Sequence, residues 1–191
     1  GYDPKEAPKL FIHLKKELEE EKSKEPFFFG THPRLKERLE NYETLLRNHS
    51  QGHPESIQNT EIFLRKICTV ILDNARDDLK AGRFKIAERG VEKYLKIKSE
   101  SAEAYCLLAD MRRQRGEGDD VEIAKDYYQR AISINSSHPD SYKGIGLIHY
   151  KRGEKTLAKK SLELYLFLSP QALDRAYIEE YIHQCQEGGK Q

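Results

Sequence analysis

Seven histidines and three cysteines are the groups in this chain with the most to offer chemically. Catalytic zinc asks for two histidines four apart on a helix, and structural zinc or dithiol chemistry asks for CxxC pairs. His49 and His53 are four apart, but Gly52 and Pro54 break the helix that would aim them at one metal. Cys68, Cys106 and Cys185 are odd in number, lie far apart within helical patterns and read as small packing residues. His13, His149 and His183 have no histidine or cysteine ligand partner at i+3 or i+4 and read as ordinary helix residues. There is no HExxH, no glycine-rich phosphate loop and no Ser-His-Asp order. His32 is left: it precedes Pro33, which holds it extended, so its ring projects from the turn in "FFFGTHP". The same dipeptide recurs at His53-Pro54 and at His138-Pro139, where it opens a helix. His32 therefore either caps the helix that starts at Pro33 or belongs to a site, and both readings stay open.

The elements that must position such residues are helical. The 191 residues carry 33 Lys+Arg against 32 Asp+Glu, so there is no basic footprint for nucleic acid. No apolar run approaches the roughly 20 residues that span a bilayer, and the N-terminus lacks the pattern of a signal peptide. A chain that starts Gly1-Tyr2-Asp3 is expected to be a processed protein or part of a longer one.

Self-similarity is the strongest signal. Copies start at Cys68, Ala102 and Pro139, giving spacings of 34 and then 37 residues, the longer one because "RQRGEGDDVEI" adds three residues to a turn. The eighth position holds Ala75, Ala109 and Gly146, and the twentieth holds Ala87, Ala124 and Ala158. Small residues there let two antiparallel helices approach closely, while Gly82 and Gly153 suit a left-handed turn between them. Large residues such as Tyr128 and Leu162 fill the groove against the next copy. One helix pair cannot bury its apolar face, so the copies stack.

This pattern resembles the tetratricopeptide repeat over 68–172, with the third copy the best match through Tyr142, Ile145-Gly146, Gly153, Ala158 and Pro170. The fold class expected is all-α, with antiparallel helix pairs stacked as a right-handed superhelix after an N-terminal helical segment. The expected organisation is residues 1–59 as that segment, repeats at 68–101, 102–138 and 139–172 within 60–172, and a capping helix over 173–186. The cap's apolar stripe is Leu173, Tyr177, Ile178, Tyr181 and Ile182.

In such repeats the first helix of each pair lines a concave surface. Its residues here are Leu72 and Arg76, then Cys106, Asp110 and Arg113, then Lys143, Leu147 and Tyr150. Arg76, Asp110, Arg113, Lys143, Leu147 and Tyr150 are the candidate partner-binding residues, suited to an extended peptide or a partner helix. The lysine and asparagine clamp that some tetratricopeptide domains use for C-terminal carboxylates is not reproduced, since Leu72 and Arg76 occupy two of its positions.

The N-terminal third does not repeat. Asp3 as N-cap with Pro4 at the first helical position opens a helix whose stripe is Ala7, Leu10, Phe11, Leu14 and Leu18. A second stripe, Leu35, Leu39, Tyr42, Leu45 and Leu46, follows the aromatic turn, and Ile62 and Phe63 are expected to pack on it. "GYDPKEAPKLF" followed by "GTHPRLKERLENYETLL" resembles the end of the HtpX/Oma-type zinc metallopeptidase domain over residues 1–47. That resemblance implies a parent metalloendopeptidase with zinc held by an HExxH helix, in the bacterial periplasm or envelope, acting in envelope-protein quality control. It also implies that this chain holds no catalytic residue or cofactor of its own, with His32 the one residue to lie beside the metal. The function expected is a repeat region that binds and positions client proteins for the peptidase. The alternative is a non-enzymatic, cytoplasmic adaptor with a helical extension. Both predict protein or peptide partners, no nucleic acid and no transmembrane segment, and leave homo-oligomer formation open.

Overall fold

A computed structural model describes residues 7–20, 35–48 and 60–187. Among these the chain is all helix and turn. The helices are α1 (Ala7–Glu20), α2 (Leu35–Asn48), α3 (Thr60–Lys80), α4 (Phe84–Ile97), α5 (Ala102–Arg115), α6 (Asp120–Ile134), α7 (Pro139–Lys151), α8 (Lys155–Leu168) and α9 (Arg175–Glu187). None of the described helices is long and apolar enough to cross a membrane. The chain divides into two compact units, Gly1–Lys66 and Ile67–Gln191.

In the first unit α1 and α2 pack together, with the rings of Phe11 and Tyr42 5.3 Å apart. The stripes that sequence assigns to a buried seam are largely open, with Leu10, Leu14 and Leu45 all exposed. Ile62 is exposed as well, and the side chain of Phe63 lies outside those described. Asp3, Pro4 and the whole FFFGTHP turn with His32 lie outside the described residues, as do His49 and His53.

The second unit is built as the small residues require. Ala75, Ala87, Ala109, Ala124 and Ala158 are all buried. A Cβ at Gly146 would sit 2.7 Å from Leu162 Cδ2. Only a hydrogen atom fits there, so α7 and α8 touch backbone to side chain. At the twenty-fourth position Val91, Tyr128 and Leu162 are fully buried, each contributing about 1.5–3 kcal/mol of apolar burial. The core forms three clusters in chain order. One lies around Leu72, Val91 and Leu108, one around Ala109, Tyr128 and Ile148, and one around Leu162, Leu166 and Ile178.

The turns follow the glycines. Gly82 and Gly153 both adopt φ +73°, where a side chain would be strained. Ser101 caps α5 by accepting from the Ala104 N–H, and His138 stands at the N-cap of α7 with Pro139 behind it. The last cluster shows α9 covering the final pair through Ile178, Tyr181 and Ile182. Leu173 and Tyr177 are not part of that seam: both are highly exposed, because Leu173 lies in the turn before α9 and Tyr177 on its outer face.

Candidate functional site

A groove of about 500 Å³ opens on the second unit. Arg76 of α3, Glu103, Cys106, Leu107 and Asp110 of α5, and Asp140 of α7 contribute to its lining. On α5 the four follow at i, i+3, i+4 and i+7, which places them on one helical face. The repeat register is what aims them, since Cys106 and Asp110 stand at its fifth and ninth positions.

The groove side chains are held by bonds that sequence reading did not anticipate. The Tyr128 hydroxyl donates to Asp110 Oδ1 at 2.7 Å and accepts from Arg113 Nε at 2.9 Å. Tyr128 belongs to the second helix of its pair, yet its ring passes over Gly144, where a Cβ would lie 2.0 Å from Tyr128 Cζ. Burial, and then the Asp110 carboxylate, raise the Tyr128 pKa, so the phenol stays protonated and can donate. Burial opposes the charge of Arg113, but its bonds with Tyr128 and Asp110 outweigh that and raise its pKa. Arg113 is thus a structural residue as much as a surface one.

Cys106 is buried at the edge of the groove, and desolvation followed by the nearby Asp110 pushes its thiol well above the ordinary range. A thiol kept protonated in this way is a poor nucleophile and a poor metal ligand. His138 lies beside it, its Nδ1 3.0 Å from the Ser141 hydroxyl. Among the described residues no group of three or more His, Cys, Asp or Glu side chains could hold a metal.

The six predicted groove residues separate into different roles. Arg76 and Asp110 line the groove, and Arg76 pairs with Glu103 and, at 2.8 Å, with Asp73. Lys143 bridges Asp140 at 3.0 Å and Asp174 at 3.2 Å. Burial opposes its charge, but the bond to Asp140 prevails and its pKa rises. Tyr150 is engaged by the C-terminal helix, bonding Gln184 and meeting the Tyr181 ring edge-on at 4.7 Å. Leu147 is half-buried on α7. Leu72, the other aliphatic residue assigned to the concave face, is buried in the core instead.

His149 departs from its sequence reading. It is buried, and its Nδ1 pairs with the Glu154 carboxylate across the turn. Sequence inspection at i+3 and i+4 misses a partner at i+5, the separation that a tight glycine turn brings together. Glu103 and Asp140 were missed for another reason. Both stand at the second position of a repeat, one turn before the positions that repeat register assigns to the concave surface.

No family model matches this chain, and no curated protein matches it. Solved structures do. The first TPR domain of Spaghetti (RPAP3), bound to the HSP90 peptide SRMEEVD, is 15% identical, covers 66% of this chain and 96% of its own, and superposes with a TM-score of 0.56. The TPR domain of Arabidopsis OM64 is 16% identical, covers 63% of this chain and 97% of its own, and scores 0.54. MamA is 21% identical, covers 96% of this chain and 83% of its own, and scores 0.52. None of these three is described as a metallopeptidase, so the peptidase resemblance rests on the N-terminal motifs alone. At such identities the likeness is one of architecture: residues 67–187 have the stacked helix-pair fold of tetratricopeptide-repeat domains.

Proposed function

We propose that the second unit is a protein-binding module whose α3–α5–α7 face receives a segment of a partner protein. The observation that carries this reading is the groove itself. It is a concavity of about 500 Å³ with residues from three repeats, lined by apolar Ala102, Leu107 and Ile134 together with charged side chains. It has the mixed lining of a peptide site rather than the enclosed apolar shape of a small-molecule pocket. A peptide bound to a protein of the same architecture supports the reading by analogy. Site-specific photo-cross-linking tests it. A photo-reactive residue at Arg76, in the groove, should capture a partner in an extract of the source cells, whereas one at Lys93, exposed on α4, should not. Capture from Lys93 alone would place binding on the other face and end the reading.

The peptidase parentage is a separate proposal, supported by the two motifs within residues 1–47. Zinc as the cofactor of a longer parent and a periplasmic or envelope location stand or fall with it. The upstream reading frame tests all three, because a frame without HExxH removes them together and leaves the adaptor.

A further inference from the structure

We infer that the outer face of α8 is a contact between two copies of this chain, packed antiparallel about a two-fold axis. It concerns a helix that lines no part of the groove, so it stands apart from the protein-binding reading above. Helix α8 turns Ala158, Leu162, Tyr165 and Leu166 inward. That face meets the packing needs of its repeat, yet the helix is apolar on its other side as well. Leu157, Lys160, Leu164 and Phe167 follow at i, i+3, i+7 and i+10, the three-four spacing of a coiled-coil seam. Leu157 is 49% exposed and Phe167 79%, while Lys160 is exposed and Leu164 half-buried.

The equivalent helices of the other repeats do not share this stripe. At the positions of Leu164 and Phe167, α4 has Lys93 and Lys96, and α6 has Arg130 and Ser133. The outer face is thus polar wherever water covers it and apolar only on α8. Exposed apolar surface of this kind points to a partner.

The charges say which partner. Lys160 has no acidic partner among the described residues. Glu163, 53% exposed beside the stripe, is engaged there by Lys159 at 3.7 Å. Setting a second α8 antiparallel at the level of Leu162 gives each feature its complement. Leu157 then lies opposite Phe167 of the second copy, and Leu164 opposite the aliphatic stem of the second copy's Lys160. The Lys160 ammonium comes level with the second copy's Glu163 to within about 1.5 Å along the axis. Both pairings form twice, as an isologous contact requires. Parallel packing would set Lys160 against Lys160, so the lysine in the seam selects the orientation. A stripe about 15 Å long on one helix offers less than the about 800 Å² per partner of a standard interface, so the dimer is a weak one.

Sedimentation equilibrium of the full 191-residue chain tests this. Between about 5 and 500 µM a monomer–dimer equilibrium is expected. Phe167→Ser should raise the dissociation constant about tenfold or more. Lys160→Glu should raise it about threefold or more by setting like charges together, and adding Glu163→Lys should return it to within about twofold of the native value. All three side chains are exposed, so the fold should tolerate the changes. A thermal melt checks this, and Leu157→Gln serves if Phe167→Ser unfolds. Val70→Ser, at a residue 53% exposed on α3, should leave the constant unchanged. A chain that stays monomeric to the highest concentration would overturn the inference, as would a dimer unmoved by the folded Phe167 or Leu157 variant. A charge swap that regains nothing, or an equal loss from Val70→Ser, would overturn it too.

Discussion

The three turns that join the helices of a repeat meet one requirement in two ways. Those after α3 and α7 are short, carry a glycine at φ +73°, and are spanned by a polar pair five residues apart. The pairs are Asp78–Arg83 at 2.6 Å and His149–Glu154. The turn after α5 is three residues longer, and its two glycines, Gly116 and Gly118, sit at φ +65° and +50°. It has a pair at the same two repeat positions, Arg112 and Asp120, 3.3 Å apart. Arg115, the last residue of α5, lies 2.6 Å from Asp120, and the insertion adds the Glu117 N–H, which donates to Asp120 at 3.1 Å. In the short turns the backbone sets the direction and the pair assists it. In the long turn one carboxylate, 2% exposed, organises the whole connection. The comparison teaches that an insertion is tolerated when a side chain takes over the work of the backbone, and that this concentrates stability in one ionisable group.

The largest expected effect comes from removing that group. Asp120→Ala leaves Arg112, Arg115 and a turn N–H without their shared acceptor. Because both arginines retain some access to water, the loss is expected at about 2–3 kcal/mol, below that of a fully buried pair. Urea unfolding checks it, and a loss under about 0.5 kcal/mol would mean that the backbone organises this turn too.

The same carboxylate sets a pH dependence. Its bonds to Arg115, foremost, hold the Asp120 pKa below the usual carboxylate range despite burial. A group depressed in the folded state stabilises the fold fully above its unfolded pKa, about 3.9, and loses that contribution as pH falls through the folded value. The stability difference between the native protein and Asp120→Asn should therefore be greatest near neutrality and shrink as pH drops below about 4. A difference that is constant down to strong acid would contradict it.

Smaller effects separate backbone from side chain. Gly153→Ala should cost about 1–2 kcal/mol, all of it conformational, since no heavy atom lies within 4 Å of the added Cβ. A much smaller cost in thermal melts would show that the short turn can relax. Glu117→Ala should fall within about 0.5 kcal/mol, because its side chain is 77% exposed and only 3.7 Å from Arg115, while its backbone does the bonding.

Much of the fold was legible because it depends on volume. Alanine at the eighth and twentieth positions and glycine at the short turns leave few packings open, and the observed burial follows them. The polar layer was less legible, because its partners are set by three-dimensional crossing rather than by helical period. The pairs at i+5 and i+8 across turns, and the bonds of Tyr128 on α6 to Asp110 and Arg113 on α5, have no short-range signature. Of the predicted groove residues, Arg76 and Asp110 were readable from repeat position. The engagement of Lys143 and Tyr150 depends on where α9 comes to lie, which position within a repeat does not encode. The apolar stripes of α1 and α2 mark the opposite difficulty, since periodicity says which face is apolar but not whether anything covers it.

The ring of Tyr128 passing over Gly144 bears on how such a chain can be altered or recombined. Tyr128 closes the second repeat and Gly144 opens the third, so the fit between them belongs to neither repeat alone. Exchanging the third repeat for a copy of the first would bring Asp73 to this point, because the sixth position is glycine only in the third. The smallest piece that can be moved intact is then the seam between consecutive repeats, helix α6 together with α7, and not the repeat that the sequence periodicity marks out.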